Sequence, residues 1–176
     1  APWAAELDPR LETRPQKCLS RIYRDTRFSK DKTPYRDYMW FSFRARSEER
    51  DYVPGFWFDI SDEGASWGMG MYMDNKPLMN ALRRRLREEP ETFAEVLAPA
   101  ADFKRLGASY KKMPAPESVP EALGDWYPLK SFALQRLESA WDQLKHPGLA
   151  QRILEDYRLL EPLYRYITKL VPEVDA

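Results

Sequence analysis

Apolar and polar residues alternate along the first half of the chain and then give way to spacings of three and four. Met39, Phe41, Phe43 and Ala45 alternate with Tyr38, Trp40, Ser42 and Arg44, the period of two that marks a half-buried strand. Phe56, Phe58 and Ile60 repeat the pattern opposite Trp57, Asp59 and Ser61, and Trp67, Met69, Met71 and Met73 follow after Ser61-Asp62-Glu63-Gly64. Gly64 can take the positive φ of a tight loop, so these two runs predict a β-hairpin. The methionine stripe reads as core. Residues 20–25 predict a shorter strand feeding a loop over residues 26–35, where Pro34 interrupts regular pairing. The segments 21–25, 38–44, 56–61 and 67–73 are therefore expected to share one antiparallel sheet.

Helical spacing begins after residue 74. Asp74 or Asn75 can cap a helix with Pro77 in its first turn, and Leu78, Met79, Leu82 and Leu86 fall on one face. Arg83, Arg84, Arg85 and Arg87 occupy the rest, which reads as a solvated face. Pro90 opens a second helix around Phe93, Val96 and Leu97, with Pro99 bending or ending it. Residues 113–128, rich in Pro, Ala and Glu, are expected as a surface loop. Across residues 130–138, Phe132, Leu134 and Arg136 alternate weakly with Ser131, Ala133, Gln135 and Leu137, so a strand competes with a helix. Residues 147–170 carry the clearest helical stripe, Leu149, Ile153, Leu160, Tyr164 and Ile167. Strands followed by helices predict an α+β fold, with an antiparallel sheet, a hairpin, and helices packed on one face of a single domain over residues 1–176.

Composition narrows the function classes. The hydrophobic fraction of 43% and aromatic fraction of 14% suit a packed core. No segment approaches the ~18 consecutive apolar residues of a membrane helix, so no membrane partner is expected. Lys and Arg together number 28, as do Asp and Glu, so no global field favours nucleic acid or an anionic surface. Cys18 is the single cysteine, which rules out an intramolecular disulfide and fits a reducing cytoplasm. His146 is the single histidine and precedes Pro147 and Gly148, where a solvated turn residue is expected rather than a catalytic base. No metal site is assigned.

Charge is concentrated locally. Lys17, Arg21, Arg24, Arg27, Lys30, Lys32 and Arg36 stand against Asp25 and Asp31, seven basic residues to two acids, a net of +5. Guanidinium and ammonium groups gathered by one strand and one loop suit an anion, because each donates charge-assisted hydrogen bonds to phosphate or carboxylate oxygens. Arg21, Tyr23 and Asp25 would share one strand face and Ile22 and Arg24 the other, so only some of the cations can converge. The candidate ligand-binding residues are Arg21, Arg24, Arg27, Ser29, Lys30, Lys32 and Tyr35, with Thr33 as a second hydroxyl. Asp25 and Asp31 are the candidate catalytic groups, able to orient the cations, act as general base or help hold a divalent cation such as Mg²⁺ at a phosphate. The same residues equally fit structural ion pairs, Arg24 with Asp25 and Lys30 with Asp31. Gly68-Met69-Gly70 lacks the third glycine of a dinucleotide fingerprint; it fits a close backbone approach, or space for a ligand beside Trp57 or Tyr72.

The run Arg21-Ile22-Tyr23-Arg24-Asp25-Thr26-Arg27-Phe28-Ser29-Lys30-Asp31-Lys32-Thr33-Pro34-Tyr35-Arg36 resembles the signature R-I-Y-R-D-x-R-F-S-x-D-K-x-P-Y-[KR] of the domain of unknown function 2461 family, a family of conserved hypothetical proteins. Pro54-Gly55-Phe56-Trp57-Phe58 and Gly68-Met69-Gly70-Met71-Tyr72 are similar to its hairpin, and residues 78–84 to its following helix. The turn Met73-Asp74-Asn75-Lys76 departs from the proline that the family often carries there. The chain starts at Ala1-Pro2-Trp3 with neither an initiator Met nor a basic-then-apolar signal segment, so a fragment or processed form is expected, and the N-terminal helical stretch with an Asn-Asn and Trp-Phe motif that the family's members carry has no counterpart ahead of this basic run. The resemblance implies a fold and a candidate site but no reaction. Three functions remain open: an anion- or phosphate-binding domain, including an enzyme acting on a phosphorylated or carboxylated small molecule; a nucleic-acid module stacking bases on Tyr38, Trp40 and Trp57; and a noncatalytic interaction or scaffold domain.

Overall fold

In the computed structural model, which describes residues 2–25, 27–28, 30, 32–46, 53–71 and 73–171, the alternating runs form the strands that they predict. β1 (Tyr38–Phe43), β2 (Gly55–Ser61) and β3 (Gly64–Gly70) make an antiparallel meander. Gly64, at φ +132°, turns the β2–β3 hairpin, a conformation that costs a residue with a β-carbon but not glycine. Two later strands, β4 (Lys104–Leu106) and β5 (Ala133–Glu138), complete an antiparallel sheet of five in the order β1-β2-β3-β5-β4.

Register decides which side chains meet. Phe41, Phe58, Trp67 and Arg136 form one cross-strand row, and Trp40, Asp59, Ser66 and Leu137 form the next. Because successive residues of a strand point to opposite faces, the first row lies on an inner face and the second on an outer one.

The inner face is covered by helices. α7 (Leu149–Lys169) buries Tyr157, Leu160, Tyr164 and Ile167. Phe56 of β2 packs its ring 5.2 Å from Tyr157 and 5.2 Å from Tyr164. Trp3, from the short helix α1 (Pro2–Leu7), stacks 5.5 Å from Tyr157 and meets Phe56 edge-on at 4.9 Å. After α2 (Pro15–Cys18) and the first three strands comes α3 (Lys76–Glu88). Asn75 caps α3, its Oδ1 accepting from the Leu78 amide at 3.0 Å. In α4 (Pro90–Leu97), Phe93 is fully buried between Trp126 and Tyr166. The α+β fold, with its helices on one face of an antiparallel sheet, is therefore as expected.

Several expectations need correction. Residues 21–25 are not a strand of the sheet: Leu19 bridges Phe41, but Tyr23 bridges Tyr35 instead. The chain pairs with itself there and leaves the sheet. β3 ends at Gly70, and of the methionines after it Met71 is half-buried and Met73 exposed, because the chain turns toward the α3 cap. Residues 113–128 are not only surface loop, since they include α5 (Glu121–Gly124) and bury Val119, Leu123 and Trp126. The ambiguous segment at 130–138 is strand, placed by pairing with β3, so the strands do not all precede the helices. α6 (Trp141–Leu144) leads into α7.

Arg83 overturns the solvated-face reading of α3. It is buried, with Nε donating to the Tyr127 carbonyl at 2.7 Å, Nη1 to Asn80 Oδ1 at 2.7 Å and Nη2 to the Leu129 carbonyl. Its guanidinium also lies 5.5 Å from the Tyr110 ring centre. Burial lowers its pKa, yet the five donors of the fork let backbone carbonyls replace water. Arg84 is exposed, while Arg85 pairs with Glu89 at 3.4 Å. Arg83→Ala is expected to lower stability by about 3 kcal/mol, because it strands carbonyls that Arg83 now satisfies. Urea unfolding followed by circular dichroism measures this, and a change below about 0.5 kcal/mol would contradict the bonding described.

Candidate functional site

The basic run forms an arm that projects from the edge of the sheet beside β1. Ser20 donates its amide to the Trp40 carbonyl at 2.8 Å, and its hydroxyl accepts from the Trp40 amide at 3.1 Å. Beyond that point the Arg24 amide donates to the Pro34 carbonyl at 3.0 Å and the Arg36 amide to the Ile22 carbonyl at 2.9 Å. Between these bonds the Tyr23 and Tyr35 rings stack at 5.6 Å. Pro34 can accept but not donate, so the ladder stays short.

Most of the candidate cations lie in solvent. Arg21, Arg27, Lys30, Lys32 and Tyr35 are exposed, and Arg24 is half-buried. Arg24 Nη1 donates to Thr33 Oγ1 at 3.3 Å. Asp25 and Arg27 form a fork, with Nε to Oδ1 at 2.9 Å and Nη2 to Oδ2 at 2.6 Å, while their side chains remain 54% and 77% exposed. Hydrogen bonds from Arg27 hold the Asp25 carboxyl below its usual range, and Asp25 raises Arg27 in return. The expected pairing of Arg24 with Asp25 is thus not the one formed. Ser29 and Asp31 lie outside the described residues, as does Tyr72. Phe28, at the tip, is 95% exposed beside the Arg27 guanidinium at 5.8 Å.

Arg36, which was not among the candidate ligands, joins the arm to the sheet. Its Nε donates to the Tyr23 carbonyl at 3.3 Å and its Nη1 to the Tyr38 hydroxyl at 2.9 Å, with the guanidinium 5.6 Å from the Tyr38 ring centre. The signal in the sequence was its place directly before an alternating strand. Tyr38 opens the outer face, where Arg44 lies 5.8 Å from the Trp40 ring centre. Ser66 donates to Asp59 Oδ2 at 2.6 Å, and Trp57 Nε1 reaches Ser66 Oγ at 3.5 Å. Gly68 lets β5 approach closely: a β-carbon there would lie 2.9 Å from the Leu134 carbonyl carbon and 3.0 Å from the Trp57 ring. That is the backbone-approach reading of the Gly-x-Gly rather than a cofactor loop.

Glu12 anchors the segment that launches the arm. Its amide donates to the Arg44 carbonyl at 2.8 Å, its carbonyl accepts from the Cys18 thiol at 3.1 Å, and its carboxylate accepts from Arg14 Nε at 2.9 Å and the Arg14 amide at 2.9 Å. The hydrogen bonds from Arg14 bring its pKa down to about 2. At Asp8, burial acts upward, but bonds from Arg10 and the Tyr164 hydroxyl outweigh it and the net direction is down. Burial raises the Cys18 thiol.

Other groups serve the fold. His146 is exposed, and its Nδ1 accepts from the Gly148 amide at 3.0 Å, the turn role expected of it. Among the described residues no three His, Cys, Asp or Glu side chains gather at a point, and no helix is long and apolar enough to cross a membrane. An open cavity of ≈ 670 Å³ lies away from the arm, lined by residues that include Met113, Pro116, Glu117, Val119 and Asp125.

A family model described as "Conserved hypothetical protein (DUF2461)" matches residues 1–166. The chain belongs to this family. The run that resembles the family's basic signature lies in the arm, and the segments similar to its hairpin motifs include β2 and β3. No curated protein and no solved structure matches the chain.

The carboxylates at the base of the arm set a pH dependence. A carboxyl held low in the folded state contributes stability that is complete above its unfolded pKa and is lost as the pH falls through the folded one. For Glu12 the window runs from about 4.5 down to about 2, and Asp8 adds in the same direction. Urea midpoints are expected to fall across this window, with Glu12→Gln less stable than the parent at pH 7 and the gap closing toward pH 2. A gap that stays constant with pH would overturn the assignment.

Proposed function

We propose that this chain is an anion-binding domain that takes a phosphate-bearing ligand on the arm of residues 21–36. The observation that supports it most is the exposure of Arg21, Arg27, Lys30 and Lys32 on one projecting arm of a chain whose formal net charge is zero. A local cationic field on a neutral body favours a compact anion over a long phosphate track. The Asp25–Arg27 fork leaves part of the Arg27 guanidinium available, and the stacked Tyr23 and Tyr35 rings hold the two sides of the arm in register. Asp25, ionised through the neutral range, is the candidate base if the ligand is also a substrate, with Asp31 the second candidate. A reducing cytoplasm is the compartment that the lone cysteine suits.

A second reading has one observation in its favour. The arm projects, with Phe28 almost fully exposed at its tip, and exposed aromatic rings among cations also suit a single-stranded nucleic acid.

Titration calorimetry with inorganic phosphate, sugar phosphates and oligonucleotides tests both. Binding of the small phosphates is expected to weaken about fivefold or more in Arg27→Ala and in Lys30→Ala, since each removes a charge-assisted contact. Oligonucleotide binding that beats every small anion and falls steeply with salt would transfer the function to the second reading. If neither class binds, the arm is not an anion site.

A further inference from the structure

We propose that the outer sheet face beside the arm takes a nucleobase, so that the phosphate-bearing ligand is a free nucleotide. The proposal rests on the arm being the phosphate site and adds the part of the ligand that the arm does not hold. Three features carry it: two tryptophans, a carboxylate that neighbours both, and an arginine that joins this face to the arm.

Trp40 and Asp59 are cross-strand partners in β1 and β2, and Trp57 stands two residues from Asp59 on the same face. Trp40 therefore borders the carboxylate across the strands and Trp57 borders it along β2, roughly 6.6 Å away, with its indole Nε1 reaching Ser66 of β3. Both indoles and Asp59 are half-buried, neither sealed in the core nor fully solvated. Ser66 occupies Oδ2 of Asp59 at 2.6 Å. Among the described residues Oδ1 accepts no hydrogen bond. A half-buried carboxylate oxygen without a donor, set beside aromatic faces, suits the amino or ring N–H groups of a base, which stacks by its plane and is read at its edge.

Charge links this platform to the arm. Arg36 bonds both the Tyr23 carbonyl on the arm and the Tyr38 hydroxyl on the sheet, and Arg44 lies over Trp40. A base on the outer face therefore places its sugar and phosphate toward Arg36 and the exposed arm cations. A protein partner is less suited, because the face presents an unshared carboxylate oxygen and guanidinium-loaded rings rather than an apolar patch.

Fluorescence and calorimetric titration of the full chain compares ribose 5-phosphate, the nucleoside monophosphates and a short single-stranded oligonucleotide. Nucleotides are expected to bind about fivefold or more tightly than ribose 5-phosphate, because one base–aromatic stack supplies at least that factor. Trp40→Ala should erase this advantage while leaving ribose 5-phosphate binding unchanged. Trp40→Phe, which keeps a stacking ring at the same position, should retain part of the advantage and separates loss of the stack from loss of the fold. Asp59→Asn should diminish the preference for amino-bearing bases over uracil. Equal or weaker binding of the oligonucleotide supports the free nucleotide, whereas an oligonucleotide that outbinds every monomer overturns it in favour of a single strand. Equal binding of ribose 5-phosphate and nucleotides by the parent chain overturns the base site and leaves the arm reading standing; no binding by any of these ligands overturns both.

Discussion

The docking of α7 on the inner face of the sheet is the constraint on which the rest of the structure depends. Apolar packing supplies most of its driving force through Leu160, Tyr164 and Ile167, but four hydrogen bonds fix its register. Asp156 Oδ2 accepts from Trp67 Nε1 at 2.8 Å, and Oδ1 accepts from Arg136 at 3.3 Å. The Tyr157 hydroxyl donates to the Trp57 carbonyl at 2.7 Å, and the Tyr164 hydroxyl donates to Asp8 at 2.8 Å. A buried polar group without its partner is expensive, so sliding α7 by one turn would break all four contacts together. Helix, sheet centre and N-terminal segment are locked as one unit.

That lock also assigns the two faces of the sheet. Once Phe56, Trp67 and Met69 are covered, the strict alternation of a strand leaves Tyr38, Trp40, Trp57 and Asp59 on the opposite side. On that side Trp40 and Trp57 are half-buried and Tyr38 is exposed. The outer face and the arm form one continuous surface because Arg36 bonds to both.

Arginine plays opposite parts in this chain according to its surroundings. Arg83 lies in the core, its charge met by carbonyls and the face of Tyr110. Arg27 projects into water, with one exposed carboxylate for company. The same planar fork serves both, since it donates in several directions within a single plane. On the arm that fork stays exposed to water.

The sequence by itself determined the hairpin, the two long helices and the basic run, because each depends on neighbours a few positions apart. Gly64 announces the turn, Asn75 and Pro77 announce the start of α3, and the stripe from Leu149 to Ile167 announces α7. The concentration of Arg and Lys between residues 17 and 36 was equally legible as a candidate site. What only the tertiary structure decided is which of those residues meet across long separations. Residues 21–25 alternate well enough for a strand, but the pairing of Tyr23 with Tyr35 drew them into an arm. Arg83 resembles its neighbours Arg84 and Arg85 in sequence, and is buried only because the chain around Tyr127 and Leu129 folds against α3. Residues 133–138 had no decisive local preference until β3 offered a partner. Local patterns carry helix and strand propensity, whereas burial and pairing are set by contacts that the local pattern does not contain.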